Sequence, residues 1–143
     1  MKREDDLKIW EKAENDFAAL LVSRGRVAKL EITQWNFPDY DIKIQTNNWQ
    51  ETTFEVKVDQ ISNTSGKVGI EFEYSWHPSW IFASKADYAV YKLWTDFYIA
   101  NRASLLSLLT QTNIKELCQW GDNWTVKLRV IPKEEFYKVA HKF

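Results

Sequence analysis

Two acids and a lysine are spaced to do chemistry at a phosphate. Glu55 and Lys57 stand two residues apart in FEVKV, and Asp41 heads the earlier run DIKI. In an extended strand, residues i and i+2 share a face. Glu55 and Lys57 therefore point one way, while Phe54, Val56 and Val58 point the other, into a core. A hairpin pairing of the two runs brings Asp41 to join them at one end of the sheet. Two carboxylates on rigid backbone suit a hard divalent cation such as Mg²⁺, which takes oxygen ligands and keeps several waters. An ammonium beside them orients or deprotonates a water and steadies the charge of a phosphorane-like transition state. This arrangement suits hydrolysis of phosphodiesters. The plain alternative is a surface ion pair on a strand, worth little energetically, so the elements around the pair must decide.

Those elements are readable. Leu7, Trp10, Ala13, Phe17, Leu20 and Leu21 recur at spacings of three and four, which predicts an amphipathic helix from Asp5 to Arg24 closed by Gly25. Glu14 lies at the edge of its apolar stripe, with Glu11 close by. Strands are expected over Val27–Trp35, Asp41–Gln45 and Thr52–Gln60, the last two joined by a hairpin connection through TNNWQE. After the loop SNTSGK, Val68–Trp76 alternates Ile70, Phe72 and Tyr74 against Glu71, Glu73 and Ser75. Further strands are expected over Asp87–Trp94, Thr95–Arg102 and Thr125–Pro132. Helical segments are expected over Ser104–Thr110, Ile114–Trp120 and Lys133–Phe143. This order predicts one α/β domain across residues 1–143, with a mixed central β-sheet flanked by helices.

Composition bounds the function. The 143 residues are 45% apolar and 15% aromatic, with eight Trp, so some rings are expected on a working surface. Nineteen basic against 20 acidic side chains leave a net charge of −1, whereas nucleic-acid proteins are usually basic. A metal-dependent nuclease, however, spends acids on its ions. A single cysteine, Cys118, excludes an internal disulfide and fits a reducing compartment. With no apolar run of membrane-spanning length and no signal-peptide pattern in MKREDDLK, the expectation is a soluble intracellular protein.

The pattern resembles the PD-(D/E)XK nuclease superfamily, and within it the small enzymes similar to Holliday-junction resolvases. Glu14 falls about three turns before the helix-ending Gly25, as the acid of that family's first helix does, and Glu11 fits less well. A strand, an Asp heading a second strand and an ExK strand follow in order, with Asp41, Glu55 and Lys57 in those places. Asp39 supplies the literal Pro-Asp and is the reserve for Asp41. The segment IEFEYSWHPSWIFASKADYAVYKL resembles the family's next strand, loop and Ser/Thr-Lys-Ala-Asp entry to another strand. The match runs from Leu7 to Leu93. It implies a restriction-endonuclease-like core, with Asp41, Glu55 and the Val56 carbonyl holding Mg²⁺ (Mn²⁺ is the substitute) and Glu14 completing the site. It gives Lys57 the water and the phosphate charge, and puts Ser84 and Lys85 beside the site.

Several residues are candidate DNA contacts. Lys67 and Lys85 flank the fourth strand as salt-sensitive phosphate contacts, with Ser84 beside Lys85 as a further candidate contact. Gln60 lies near the end of the ExK strand. Trp76 and Trp80 bracket WHPSW, as stacking platforms, a protein interface, or cover for a sheet edge. His77 and His141 are too far apart in sequence for a zinc pair, and there is no Walker A or GxGxxG sequence.

The expected activity is Mg²⁺-dependent, structure-selective DNA endonuclease cleavage in recombination or repair. Two symmetric cuts across a junction imply a C2 homodimer. A restriction- or repair-type endonuclease of the same superfamily is the nearest alternative. An inactive binding module with this fold is the other.

Overall fold

Phe17 is where helix and sheet meet. In the computed structural model, helix α1 (Arg3–Ser23) carries Ala13, Phe17, Ala18 and Leu21 into a buried layer with Ile42, Ile44, Phe54, Val56, Val90 and Phe97. The Phe17 ring meets those of Phe54, Phe97 and Phe143 at centroid distances of 5.4, 5.3 and 5.3 Å. Burying such a ring contributes about 2–3 kcal/mol, and tilted aromatic pairs add to that. Gly25 closes the helix as expected, with φ 80 and its N–H returned to the Val22 carbonyl. The structure describes residues 3–33, 39–59, 66–74, 77–78, 84–111, 115–121 and 124–143.

The sheet beneath α1 has six strands. These are β1 (Val27–Ile32), β2 (Ile42–Thr46), β3 (Glu51–Asp59), β6 (Tyr88–Leu93), β7 (Asp96–Asn101) and β10 (Ala140–Lys142), in that order across the sheet. Every neighbouring pair is antiparallel except β3 and β6, which run parallel with Glu55 level with Ala89 and Lys57 level with Tyr91. A parallel pair requires a crossover connection. Here that connection carries β4 (Lys67–Tyr74) and the two-residue β5 (His77–Pro78). They join β8 (Lys115–Gly121) and β9 (Trp124–Pro132) in a second, antiparallel sheet of order β5-β4-β9-β8.

Alternation along β6 ties the two layers together. Val90 packs with α1, while Ala89, Tyr91 and Leu93 join Val68, Ile70 and Ile131 of the second sheet. Helices α2 (Arg102–Leu109) and α3 (Lys133–Val139) add Leu105, Leu108, Leu109 and Phe136 to that second cluster. Asn101 starts α2 by accepting from the amides of Ala103 and Ser104 at 2.9 and 3.4 Å.

The α/β class with a mixed sheet is therefore present, and four local expectations are corrected. The strands expected at Val68–Trp76 and Thr125–Pro132 are present as Lys67–Tyr74 and Trp124–Pro132, but they lie in the second sheet and not in the central one. Ile114–Trp120, expected as helix, contributes β8, because its backbone pairs with β9 from Lys115 to Gly121. The closing helix stops at Val139, and Ala140–Lys142 turns back to pair with β7. Trp10, assigned to the apolar stripe, is 48% exposed. No helix among the described residues is long and apolar enough to cross a membrane.

Candidate active site

Asp41 stands where the β2–β3 ladder ends. Ile42 is the last β2 residue in register, opposite Phe54, and the Asp41 amide still donates to the Phe54 carbonyl at 2.9 Å. One step further the side chain takes over from the main chain: Asp41 Oδ2 accepts from the Val56 amide at 2.7 Å. The Asp41 carbonyl turns the other way, accepting from the Thr33 amide at 2.9 Å and the Thr33 hydroxyl at 3.1 Å. Both ends of the residue are thus fixed, and its carboxylate is held against β3.

Glu55 is 6% exposed. A buried carboxylate needs partners, and three surround it. Lys57 Nζ lies 3.3 Å from its Oε2, as the shared strand face predicts. Asp41 lies alongside, and the Ser84 hydroxyl is close by. Burial, with Asp41 as a second negative charge, pushes the Glu55 carboxyl up to about 7, while Lys57 and Ser84 pull it down. Burial also raises Asp41, against the Val56 amide, the Lys57 ammonium and a hydrogen bond from Glu55. The two carboxyls thus compete for one proton.

Glu14 enters from α1, half-buried. Its carboxyl rises to about 7 through burial first, then through the charges of Asp41 and Glu55, with Lys57 opposing. Glu11 is exposed, so Glu14 is the helix acid that faces this cluster. Asp41 is likewise favoured over Asp39. Asp39 instead uses its carbonyl, which accepts from the Ser84 hydroxyl and the Lys85 amide, both at 2.9 Å.

The SKAD segment is therefore structural support for the site. Ser84 is 2% exposed, and its hydroxyl also accepts from the Ala86 amide at 3.1 Å. The hydroxyl gives its proton to the Asp39 carbonyl and lies close enough to Glu55 to lower its carboxyl. Lys85 is exposed beside it. Asp87 clasps the start of β3: its Oδ2 accepts from the Thr53 amide and hydroxyl at 3.0 and 3.2 Å, and its own amide donates to Thr53. Lys67 opens β4 in the second sheet and is exposed. Gln60, Trp76 and Trp80 lie outside the described residues.

One neighbour of the site was hidden in the sequence pattern. The Lys57 ammonium lies 5.5 Å from the centroid of the Trp10 ring, a cation–π contact on a half-exposed indole. Helical spacing assigned Trp10 to the core and gave no hint of this.

Among the described residues, no group of three or more His, Cys, Asp or Glu side chains is arranged to hold a metal ion as it stands. The donor chemistry nonetheless fits a hard divalent cation. Glu14, Asp41 and Glu55 offer carboxylate oxygens; burial first, and then mutual repulsion, keeps protons on Glu14 and Glu55 near neutral pH, and burial raises Asp41 as well. A cation would relieve that repulsion and displace the protons. No protein-family model, curated protein or solved structure matches this chain.

Proposed function

We propose that the chain is a Mg²⁺-dependent DNA endonuclease of PD-(D/E)XK type, built on a restriction-endonuclease-like core and selective for branched DNA as Holliday-junction resolvases are. The observation that carries this reading is the convergence of Glu14, Asp41, Glu55 and Lys57, from three separate elements, into one electrostatically coupled cluster. The meander β1-β2-β3 with β6 parallel to β3 supports the core assignment, since it sets the ExK strand in the middle of the sheet.

Asp41, Glu55 and the Val56 carbonyl would hold the cation, and Glu14 would complete the set. The ion supplies Lewis-acid polarisation of the phosphate and a more acidic bound water. Lys57 positions the attacking water and lends positive charge to the phosphate as negative charge grows on its oxygens. Asp41 is pre-positioned by the Val56 amide, and Glu55 by Lys57, so little reorganisation is needed. Lys85, exposed next to Ser84, would neutralise a backbone phosphate. Two symmetric cuts require two such sites, hence a C2 homodimer.

The test is cleavage of a labelled four-way junction beside matched linear duplex and single strand, with Mg²⁺, with EDTA and with Lys57→Ala. Symmetric metal-dependent cuts near the branch, lost in Lys57→Ala, are expected. Cutting of all substrates alike would keep the nuclease and remove the junction preference. Junction binding with no cutting of any substrate would identify an inactive binding module instead.

A further inference from the structure

The six-stranded sheet has two tight hairpins, and each puts a tryptophan in a conformation suited to glycine. The β6–β7 hairpin has a two-residue loop, Trp94 and Thr95, flanked by the pair Leu93 and Asp96. Trp94 takes φ 61 at the first loop position, which hairpins of this length usually give to Gly or Asn. The β2–β3 hairpin has a three-residue loop, Asn47 to Trp49, closed by the Thr46 amide to the Gln50 carbonyl at 2.9 Å. Trp49 takes φ 65 at its last position, again the left-handed place that glycine fills in such loops.

Among the described residues, only three non-glycine residues have positive φ, and two are these tryptophans. A bulky side chain there is strained. Asn48, which tolerates that conformation better, stands one position away and does not take it. The strain brings no packing in return: the Trp49 and Trp94 side chains are 76% and 69% exposed. Strained residues of this kind cluster at active sites and ligand clamps, which points to contact with something else.

The placement indicates what that is. β3 runs from Trp49's hairpin to the level of Trp94's hairpin, since Asp59 is in register with Leu93. At about 3.3 Å per residue, the two tips stand roughly 30–35 Å apart with Glu55 and Lys57 between them. Protein-interface anchors cluster at the centre of a patch, whereas these two rings lie at opposite ends of one sheet. An extended ligand that fills the site and continues past it on both sides meets both. A net charge of −1 leaves little general attraction for phosphates, so contacts to bases must carry a larger share of affinity. Exposed indoles stack on unpaired bases of any sequence.

We propose that Trp49 and Trp94 are stacking contacts for unpaired bases on the two flanks of the cleaved phosphate, which narrows the branched substrate to DNA with single-stranded character at the branch. This rests on the nuclease reading above, but it is tested by binding and not by cleavage.

The probe is a fluorescein-labelled duplex with a central single-stranded gap, compared by anisotropy with the uninterrupted duplex, both in EDTA. Trp49→Gly and Trp94→Gly relieve the backbone and remove the rings, and a melting curve accompanies each. Each variant is expected to melt at or above the wild-type temperature and to bind the gapped probe about 5- to 50-fold more weakly, with duplex affinity changed less than about 2-fold. Trp94→Phe is expected to keep part of the gapped-probe affinity. Unchanged gapped-probe binding in both glycine variants would overturn the proposal. So would a marked fall in melting temperature, which would make the rings structural, or loss of a dimer in sedimentation with DNA binding intact, which would make them self-contacts. Wild-type cleavage that needs Mg²⁺ and Lys57, alongside unchanged binding by the variants, leaves the nuclease standing and removes only this proposal. Weakened variant binding with no wild-type cleavage does the reverse.

Discussion

Asp41 replaces a strand residue with a side chain: its carboxylate takes the Val56 amide just beyond the last in-register pair of β2 and β3. The same contact that ends the ladder fixes an acid beside Glu55. Removing the charge and removing the hydrogen bond should therefore have separable effects. Asp41→Asn keeps an acceptor for Val56, so the melting temperature should stay within a few degrees of wild type, while Mg²⁺-dependent cleavage falls by at least about 100-fold. Asp41→Ala leaves a strand amide unsatisfied and should cost a further 1–3 kcal/mol or so. Thermal melts and junction cleavage on both variants check this, and a cleaving Asp41→Asn would defeat the ligand role.

Stability without divalent cations should fall as pH rises. Glu14 and Glu55 have an ordinary value of 4.5, raised to about 7 in the fold. A carboxyl raised on folding binds more protons when folded, so its contribution is complete below about 4.5 and is lost as pH climbs toward 7. The expected fall in melting temperature between pH 5 and pH 8 is roughly 5–10 °C. It should be smaller in Glu55→Gln, and smaller still when Glu14→Gln is added. A flat or rising profile in EDTA would contradict this charge cluster.

Cation binding should expel protons. Near pH 6.5 the cluster retains protons that ligation must displace, so Mg²⁺ is expected to release about one proton, and at most about two. Titration calorimetry in MES and in imidazole reads this directly, because the apparent enthalpy shifts with the ionisation enthalpy of the buffer. Equal enthalpies in the two buffers would mean that Mg²⁺ binds elsewhere.

Asp87 belongs to the scaffold and not to the chemistry. It joins the start of β3 to the start of β6 through Thr53. Asp87→Ala should cost about 1–2 kcal/mol, roughly 3–8 °C in melting temperature, with calorimetric Mg²⁺ affinity within about 2-fold of wild type. A large loss of Mg²⁺ affinity in a folded variant would move Asp87 into the site.

The N-terminal half was the more legible because its signals are local. Phe17 and Leu21 declare the buried stripe of α1, Gly25 its end, and the alternation of FEVKV puts Glu55 and Lys57 on one face, where they meet at 3.3 Å. Pairing partners are another matter. The alternation of Val68 and Ile70 is the same in either sheet, and only the register with β9 decides which one they join. Leu117 and Cys118 have helical neighbours at three and four residues, yet the open edge of β9 draws them into a strand. Trp10 has core spacing but lies where α1 meets the Lys57 side chain, so half of its ring meets solvent. Trp49 reads as part of a hairpin connection and Trp94 as the end of a strand until the pairing and their backbone angles are known.

The insertion of β4 and β5 between the two parallel strands has a consequence for how the proposed activity would emerge during folding. All four charged residues of the site lie before residue 58, but Ser84 and the β6 strand that flanks β3 come later, and β4 needs β9. Such long-range pairings close slowly. A chain emerging from the ribosome would hold every charged group of the site well before it could hold them in place. Cleavage competence would then arrive as a late, cooperative event, and fragments ending before Ser84 would carry the motif without the activity.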